Sequence, residues 1–258
     1  VLNYNMGDNP KLWDEFNPNV YQMQITLDSK SGTDTKNIDF GMREFKATGK
    51  FFTINGRQTF LRGTLESAIF PLTGYPPTDV ASWRRIYKVI KNHGLNHVRF
   101  HSWSPPKAAF IAADEVGIYL QAEASGWNKL GDGSPADKWF YKEGEDLINA
   151  YGNHPSFVMM AYGNEPHGKD HKEYLRNYVN HFKGLDDRRL YTSGAGYPYL
   201  DNLDYYNHRG PRIQGWAENL KSIINAKPPQ TVFDWSKFID KTPMPYVSHE
   251  MGQWCVYP

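Results

Sequence analysis

Two glutamates at matching places in this chain could together break a sugar linkage. Glu165 ends the run Ser156-Phe-Val-Met-Met-Ala-Tyr-Gly-Asn-Glu165-Pro166, and Glu250 ends Pro245-Tyr-Val-Ser-His-Glu250. The first run is short for a helix, rich in β-formers and bounded by Pro155 and Pro166, so it reads as a buried parallel strand. The second repeats the arrangement. A carboxyl just past such a strand is where an α/β protein does chemistry. Glycoside hydrolysis needs one carboxylic acid to protonate the leaving oxygen and one carboxylate to attack, or to deprotonate water, on the other side. Glu165 fits the acid and Glu250 the nucleophile. Asn164, beside the acid, could hydrogen-bond a sugar hydroxyl. Glu250 must stay ionised, and Arg99 in Asn96-His-Val-Arg-Phe-His-Ser-Trp103 could supply charge and a bidentate fork.

The fold must bring together two carboxyls 85 residues apart in sequence. The spacing predicts strands over 60–65, 95–100, 117–121, 157–162, 189–193, 203–207 and 246–248, with amphipathic helices over 79–93, 107–115, 136–151, 169–183 and 217–225. Asp79 and Pro135 are helix-start signals, and Gly94 closes the first helix. Alternating strands and helices imply a parallel sheet, either open and doubly wound or closed as a (β/α)8 barrel. No Gly-rich nucleotide loop is present. Functional groups follow nearly every strand: Glu66, His101, Glu123, Asn164, His208 and Glu250. Such a ring is what the C-terminal face of a barrel presents, so a (β/α)8 barrel is expected. The chain stops soon after the seventh strand, so the barrel is expected to be incomplete.

The first forty-odd residues have another pattern. Tyr21-Gln-Met-Gln-Ile-Thr-Leu27 alternates like a half-buried antiparallel strand, and a short strand is expected near 38–40. Two or three such strands bury no core alone. Residues 1–45 therefore read as the last strands of an immunoglobulin-like β-sandwich, and 46–258 as the barrel. A hairpin is expected over 51–60, turning at Asn55-Gly56.

With 29 basic and 28 acidic residues the chain has no charged patch for nucleic acid, and no apolar stretch reaches membrane-spanning length. The N-terminal residues lack the basic head and apolar core of a signal peptide. The one cysteine, Cys255, excludes an intrachain disulfide. Aromatic residues make up 15% of the chain, and Trp103, Trp127, Trp139 and Trp216 lie in polar, loop-like sequence where rings suit stacking on sugars. Trp103 and Trp254 are each candidates for substrate stacking or for the core. Tyr206 could donate to the nucleophile or fill the barrel. Glu123 could anchor the site from behind or bind sugar hydroxyls. His101 and His208 lack the spacing of a metal site, so polar lining is expected and no cofactor is required.

The motifs, in order, resemble family 2 glycoside hydrolases, the group of β-galactosidases, β-glucuronidases and β-mannosidases. Phe40-Gly-Met-Arg43, Ile54-Asn-Gly56 and Phe60-Leu-Arg-Gly63 resemble the family's passage from sandwich to barrel. Gly94-Leu-Asn-His-Val-Arg99 and Ala113-Asp-Glu-Val-Gly-Ile-Tyr119 resemble its second and third strand regions, and Asn153-His-Pro-Ser156 with Gly163-Asn-Glu165 its acid/base signature. The resemblance implies a retaining mechanism, with Glu165 as acid/base and Glu250 as nucleophile, and a carbohydrate substrate. Enzymes of this kind are often periplasmic or secreted. Departures fall at His101-Ser-Trp-Ser-Pro105, Thr64-Leu-Glu-Ser67, Gln121-Ala-Glu123 and the loop His249-Glu-Met-Gly-Gln-Trp-Cys255, and they bear on which sugar is taken. The competing readings are a non-catalytic carbohydrate-binding barrel, which would not need both glutamates, and a metal-dependent barrel hydrolase.

Overall fold

The computed structural model describes residues 3–208, 210, 234 and 236–250. It opens with an antiparallel hairpin, β1 (Tyr21–Ser29) and β2 (Gly32–Phe40), paired from Tyr21–Phe40 to Ser29–Gly32. A three-stranded antiparallel meander follows: β3 (Phe45–Thr48), β4 (Phe51–Ile54) and β5 (Arg57–Thr59). The β4–β5 turn is Asn55-Gly56, both with positive φ (52° and 77°), which is the two-residue turn that matches strand twist.

Strand and helix then alternate: β6 (Gly63–Glu66), α1 (Val80–Asn92), β7 (His97–Phe100), α2 (Lys107–Val116), β8 (Tyr119–Gly126), α3 (Pro135–Tyr151), β9 (Phe157–Gly163), α4 (His171–Leu185) and β10 (Leu190–Thr192). The helices start and stop where the sequence signals them. The Asp79 carboxylate accepts from the Ser82 N–H at 2.8 Å, and Pro135 opens α3. Gly94 and Gly117, at φ 75° and 79°, take the left-handed geometry that ends a helix.

Strands β6 to β10 form one parallel sheet in sequence order. Two further strands, β11 (Tyr206–His208) and β12 (Tyr246–Ser248), pair in parallel. Residues 195 and 196 tie the two sheets together: Ala195 bridges Asn164, Gly196 bridges His208, and the Gly196 N–H donates to Asn207 O at 2.9 Å. Seven parallel strands therefore follow one another, an incomplete (β/α)8 barrel with no eighth strand among the described residues. The helix expected over 217–225 lies outside the described residues.

Two apolar clusters hold the sheet. On the helix side, Val98, Phe100, Leu120, Ala122, Met160 and Tyr162 pack with the buried faces of α1 to α4. Beneath the strands, Phe45, Phe52 and Ile54 of the meander pack with Trp13, Tyr119, Val158, Met159, Leu190 and Tyr205. The meander thus floors the barrel. Trp13 is fully buried there, its indole N–H donating to Asp114 O at 2.8 Å and its ring edge-on to Tyr119. Arg43 fastens the end of the hairpin below β9, donating to the carbonyls of Pro155 (3.0 Å) and Phe157 (2.9 Å). The N-terminal ends of the strands are sealed, and the C-terminal ends carry the candidate site.

Candidate active site

Backbone geometry alone marks the C-terminal face. Among the described residues, five non-glycine residues have positive φ. One is Asn55 in the hairpin turn; the others are Ala68 (57°), Ser102 (59°), Ser125 (56°) and Glu165 (38°), at or just past the ends of β6, β7, β8 and β9. Such a conformation costs on the order of 1–3 kcal/mol and persists only where its surroundings over-determine it, as they do at functional sites.

Glu165 is held on both flanks. Its N–H donates to Ala195 O at 2.9 Å, and the Asn164 N–H donates to Gly126 O at 2.8 Å. Close backbone approach makes this possible: a methyl group at Gly163 would lie 1.9 Å from the Gly126 carbonyl oxygen. Only glycine lets β8 and β9 meet there.

Arg99 sits at the centre. His97 and Arg99 turn into the barrel, while Val98 and Phe100 face the helices. Arg99 Nε donates to Glu123 Oε1 at 2.6 Å, and Nη2 donates to Glu123 Oε2 at 3.3 Å and to Asn164 Oδ1 at 2.8 Å. Nη1 is buried without a hydrogen-bond partner and lies 3.9 Å from Glu250 Oε1. With its oxygen so occupied, Asn164 offers a ligand its NH2 group.

Glu250 sits among donors. His249 Nε2 is 3.4 Å and His101 Nε2 3.6 Å from its Oε1. His101 foremost, then His249 and Arg99, hold its carboxyl well below the usual carboxylate range against the opposing effect of burial. The two glutamates belong to one cluster: a methyl group at Gly196 would lie 3.5 Å from Glu165 Cγ and 3.3 Å from His249 Cε1. Gly196 therefore lies between Glu165 and His249, and His249 in turn adjoins Glu250.

A buried chain of hydrogen bonds supports Arg99 from below. The Tyr205 hydroxyl donates to Gln121 Oε1 at 3.0 Å, and Gln121 Nε2 donates to Glu123 Oε1 at 3.1 Å. Burial, with the Glu123 charge second, pushes the Tyr205 phenol up, so it stays a donor. Glu123 is fully buried and also accepts from the Ser102 N–H at 2.6 Å. It anchors Arg99; its oxygens are spent inside the protein.

Other expected lining residues are placed differently. Trp103 packs edge-on to Phe100 at 5.4 Å and donates its indole N–H to Glu66 O, so its ring belongs with the core on the helix side. Tyr206 and His208 pack on each other and on Tyr246, whose hydroxyl lies 2.6 Å from His208 Nδ1. Asn207, between them, has the parity of Tyr205 and is fully buried, with neither amide atom hydrogen-bonded among the described residues. Trp254 and Cys255 lie outside the described residues. His249, Asn207, Gly196 and the Tyr205–Gln121 pair are the site residues that sequence reasoning missed; only His249, next to Glu250, carried a local signal. Among the described residues no group of three or more His, Cys, Asp or Glu side chains could hold a metal ion, and no helix is long and apolar enough to cross a membrane.

Comparison with known proteins agrees with this architecture. Residues 5–43 match the family pattern described as glycosyl hydrolases family 2, and residues 45–231 the pattern described as glycosyl hydrolases family 2, TIM barrel domain. A putative beta-glucuronidase of Formosa agariphila is 31% identical over 233 residues, 86% of this chain but 22% of the relative. A beta-galactosidase of Thermoanaerobacterium thermosulfurigenes is 32% identical over 209 residues, covering 76% of this chain and 28% of its own. A beta-glycosidase from Bacteroides vulgatus superposes with TM-score 0.64 at 27% identity, over 77% of this chain and 26% of its own. The beta-glucuronidase of Parabacteroides merdae shares the fold, with TM-score 0.69 at 23% identity over 80% of this chain and 27% of its own. The chain thus spans about a quarter of the length of such relatives, and it belongs to glycosyl hydrolase family 2.

Proposed function

We propose that this chain carries the catalytic centre of a retaining, exo-acting β-glycosidase that removes terminal non-reducing β-linked sugars, of the galactoside or glucuronide type. Residues 1–45 would be the last strands of a β-sandwich domain and 46–258 its catalytic barrel. Glu250 is the nucleophile and Glu165 the acid/base. The Glu250 carboxylate bonds to the anomeric carbon as the bond to the leaving oxygen breaks, and Glu165 gives that oxygen its proton. Water then attacks the same carbon, the Glu250 ester bond breaks, and the water's proton returns to Glu165. Arg99 and Asn164 orient the pair, and Asn164 donates to a sugar hydroxyl.

One observation carries the reading. His101, His249 and Arg99 hold Glu250 ionised, and Arg99 also grips the residue beside Glu165. An ionised carboxylate, linked through His249 and Gly196 to a second glutamate on a strained backbone, suits displacement at an anomeric carbon.

The test uses the full-length polypeptide with aryl β-galactosides, β-glucuronides and related glycosides. Glu165→Gln should lower turnover by about 10²–10⁴-fold on poor leaving groups, as loss of a general acid does. Glu250→Gln should abolish it, and proton NMR of the first product should show the β anomer. Activity that survives both substitutions would end this assignment.

A further inference from the structure

We infer that Trp127 is the aromatic platform of a leaving-group subsite, a flat indole face that takes either an aryl ring or the apolar face of a second sugar. The inference rests on the glycosidase reading above and extends it from the sugar that is cleaved to the group that departs.

Trp127 is 55% exposed, unlike Trp13, Trp83 and Trp103, whose indole N–H groups donate to backbone carbonyls. Its backbone is nevertheless fixed on both sides. Gly126 packs so closely on Tyr162 that a methyl group there would lie 2.2 Å from the ring, and its carbonyl accepts from Asn164. On the other side the Asn128 N–H donates to the Tyr162 hydroxyl at 3.1 Å. Two residues further on, the Leu130 N–H donates to His167 O at 2.9 Å, tying the loop to the segment that follows Glu165. A large ring in water on an immobilised backbone gives contact area at small cost in side-chain entropy.

Its position relative to the carboxyls sets the role. The Trp127 ring stands edge-on to His101, with centroids 5.0 Å apart, and His101 faces Glu250. Through Gly126, Trp127 adjoins Asn164 and hence Glu165. Its ring therefore contacts His101 beside Glu250, and its backbone follows directly on the Gly126 carbonyl that holds Asn164 next to Glu165, while it stays exposed and Arg99, Glu123 and Asn164 are buried. In an exo-acting enzyme the terminal sugar goes to the bottom and the leaving group stays at the mouth. The group protonated by Glu165 departs on the Glu165 side, where an indole face can hold it by stacking on C–H groups or on a ring.

Kinetics on the full-length polypeptide test this, using three donors of one sugar: its best aryl β-glycoside, a disaccharide, and the β-glycosyl fluoride, which has no leaving-group ring. In Trp127→Ala the ratio of kcat/KM on the aryl donor to that on the fluoride should fall about tenfold, the size of one aromatic stacking contact. Trp127→Phe should recover most of the ratio, and Trp127→Leu, apolar but without a π face, should not. A matching fall on the disaccharide assigns the platform to sugars as well as aryl groups; a fall on the aryl donor alone restricts it to aryl groups. An unchanged ratio, or equal loss on aryl donor and fluoride, overturns the inference and leaves the catalytic assignment standing. A wild type that cleaves none of the three, or a Glu250→Gln variant as active as wild type, overturns the glycosidase reading itself and this inference with it.

Discussion

Arg99 donates to Asn164 at 2.8 Å through one arm of its guanidinium and points the other at Glu250, so a single planar group spans β9 and the residues that follow β12. Arg99→Lys keeps the charge but not the fork, and an ammonium cannot serve Glu123, Asn164 and Glu250 in one geometry. We expect kcat/KM to fall about 10²-fold or more, as for a lost preorganised donor. Arg99→Ala should in addition destabilise the fold by about 3–5 kcal/mol, because Glu123 is left as an unpaired buried charge. Denaturant titration checks the second effect and steady-state kinetics the first.

Glu250 is held ionised well below the usual carboxylate range, with His101 the largest cause. With Glu250 as the proposed nucleophile, its ionisation does not limit activity as pH falls through 5 to 4. Removing His101 takes away the main stabiliser of the anion, so the Glu250 pKa must rise. His101→Gln should raise the Glu250 carboxyl pKa, read by infrared or carboxylate NMR titration of the variant against the parent. An unchanged Glu250 titration would show that His101 does not act on it.

His97 gives the fold its own pH dependence. Burial, with Arg99 second, lowers its pKa from 6.5 to about 4. The unfolded chain takes up this proton first as pH falls. The stability contribution is therefore full above about 6.5 and drains away toward pH 4, by about 3 kcal/mol. His97→Asn should remove most of that slope, measured as the unfolding free energy at pH 7 and at pH 4.5.

Gly163 tests the close approach of β8 and β9. In Gly163→Ala the added methyl meets a backbone carbonyl rather than a side chain that could swing away. We expect a loss of about 1–3 kcal/mol or more, the range for overpacking, together with reduced turnover, because the displaced segment carries Asn164 and Glu165. Thermal unfolding and kinetics of the same variant read both consequences.

The two glutamates, Asn164 and Arg99 stood out in the sequence as candidates because they lie at or near the ends of expected strands, where function sits in such sheets. The seven strands and first four helices were legible for the same reason, with errors of a few residues at their ends. β11 shows where that reasoning stops. It has three residues, Tyr206-Asn207-His208, with a polar or aromatic group on each face, so no alternation says which side is inward. Tyr206 and His208 were the expected lining, whereas Asn207 has the parity of Tyr205. β2 exceeded its expected length because nearly all of it is exposed, and a strand without a buried face has no hydrophobic rhythm to read. Glu123 and Trp103 were equally open, since their hydrogen-bond partners, Arg99 and the Glu66 carbonyl, come from other strands.

The floor of the barrel has a practical meaning for anyone who cuts this polypeptide. Trp13 and the 45–59 meander precede the first barrel strand, yet they cover Tyr119, Val158, Met159, Leu190 and Tyr205. During synthesis the plug leaves the ribosome before the strands it will seal. A truncation that starts at β6 would place those five side chains in water and invite aggregation, whereas one that starts upstream of Trp13 keeps the base watertight.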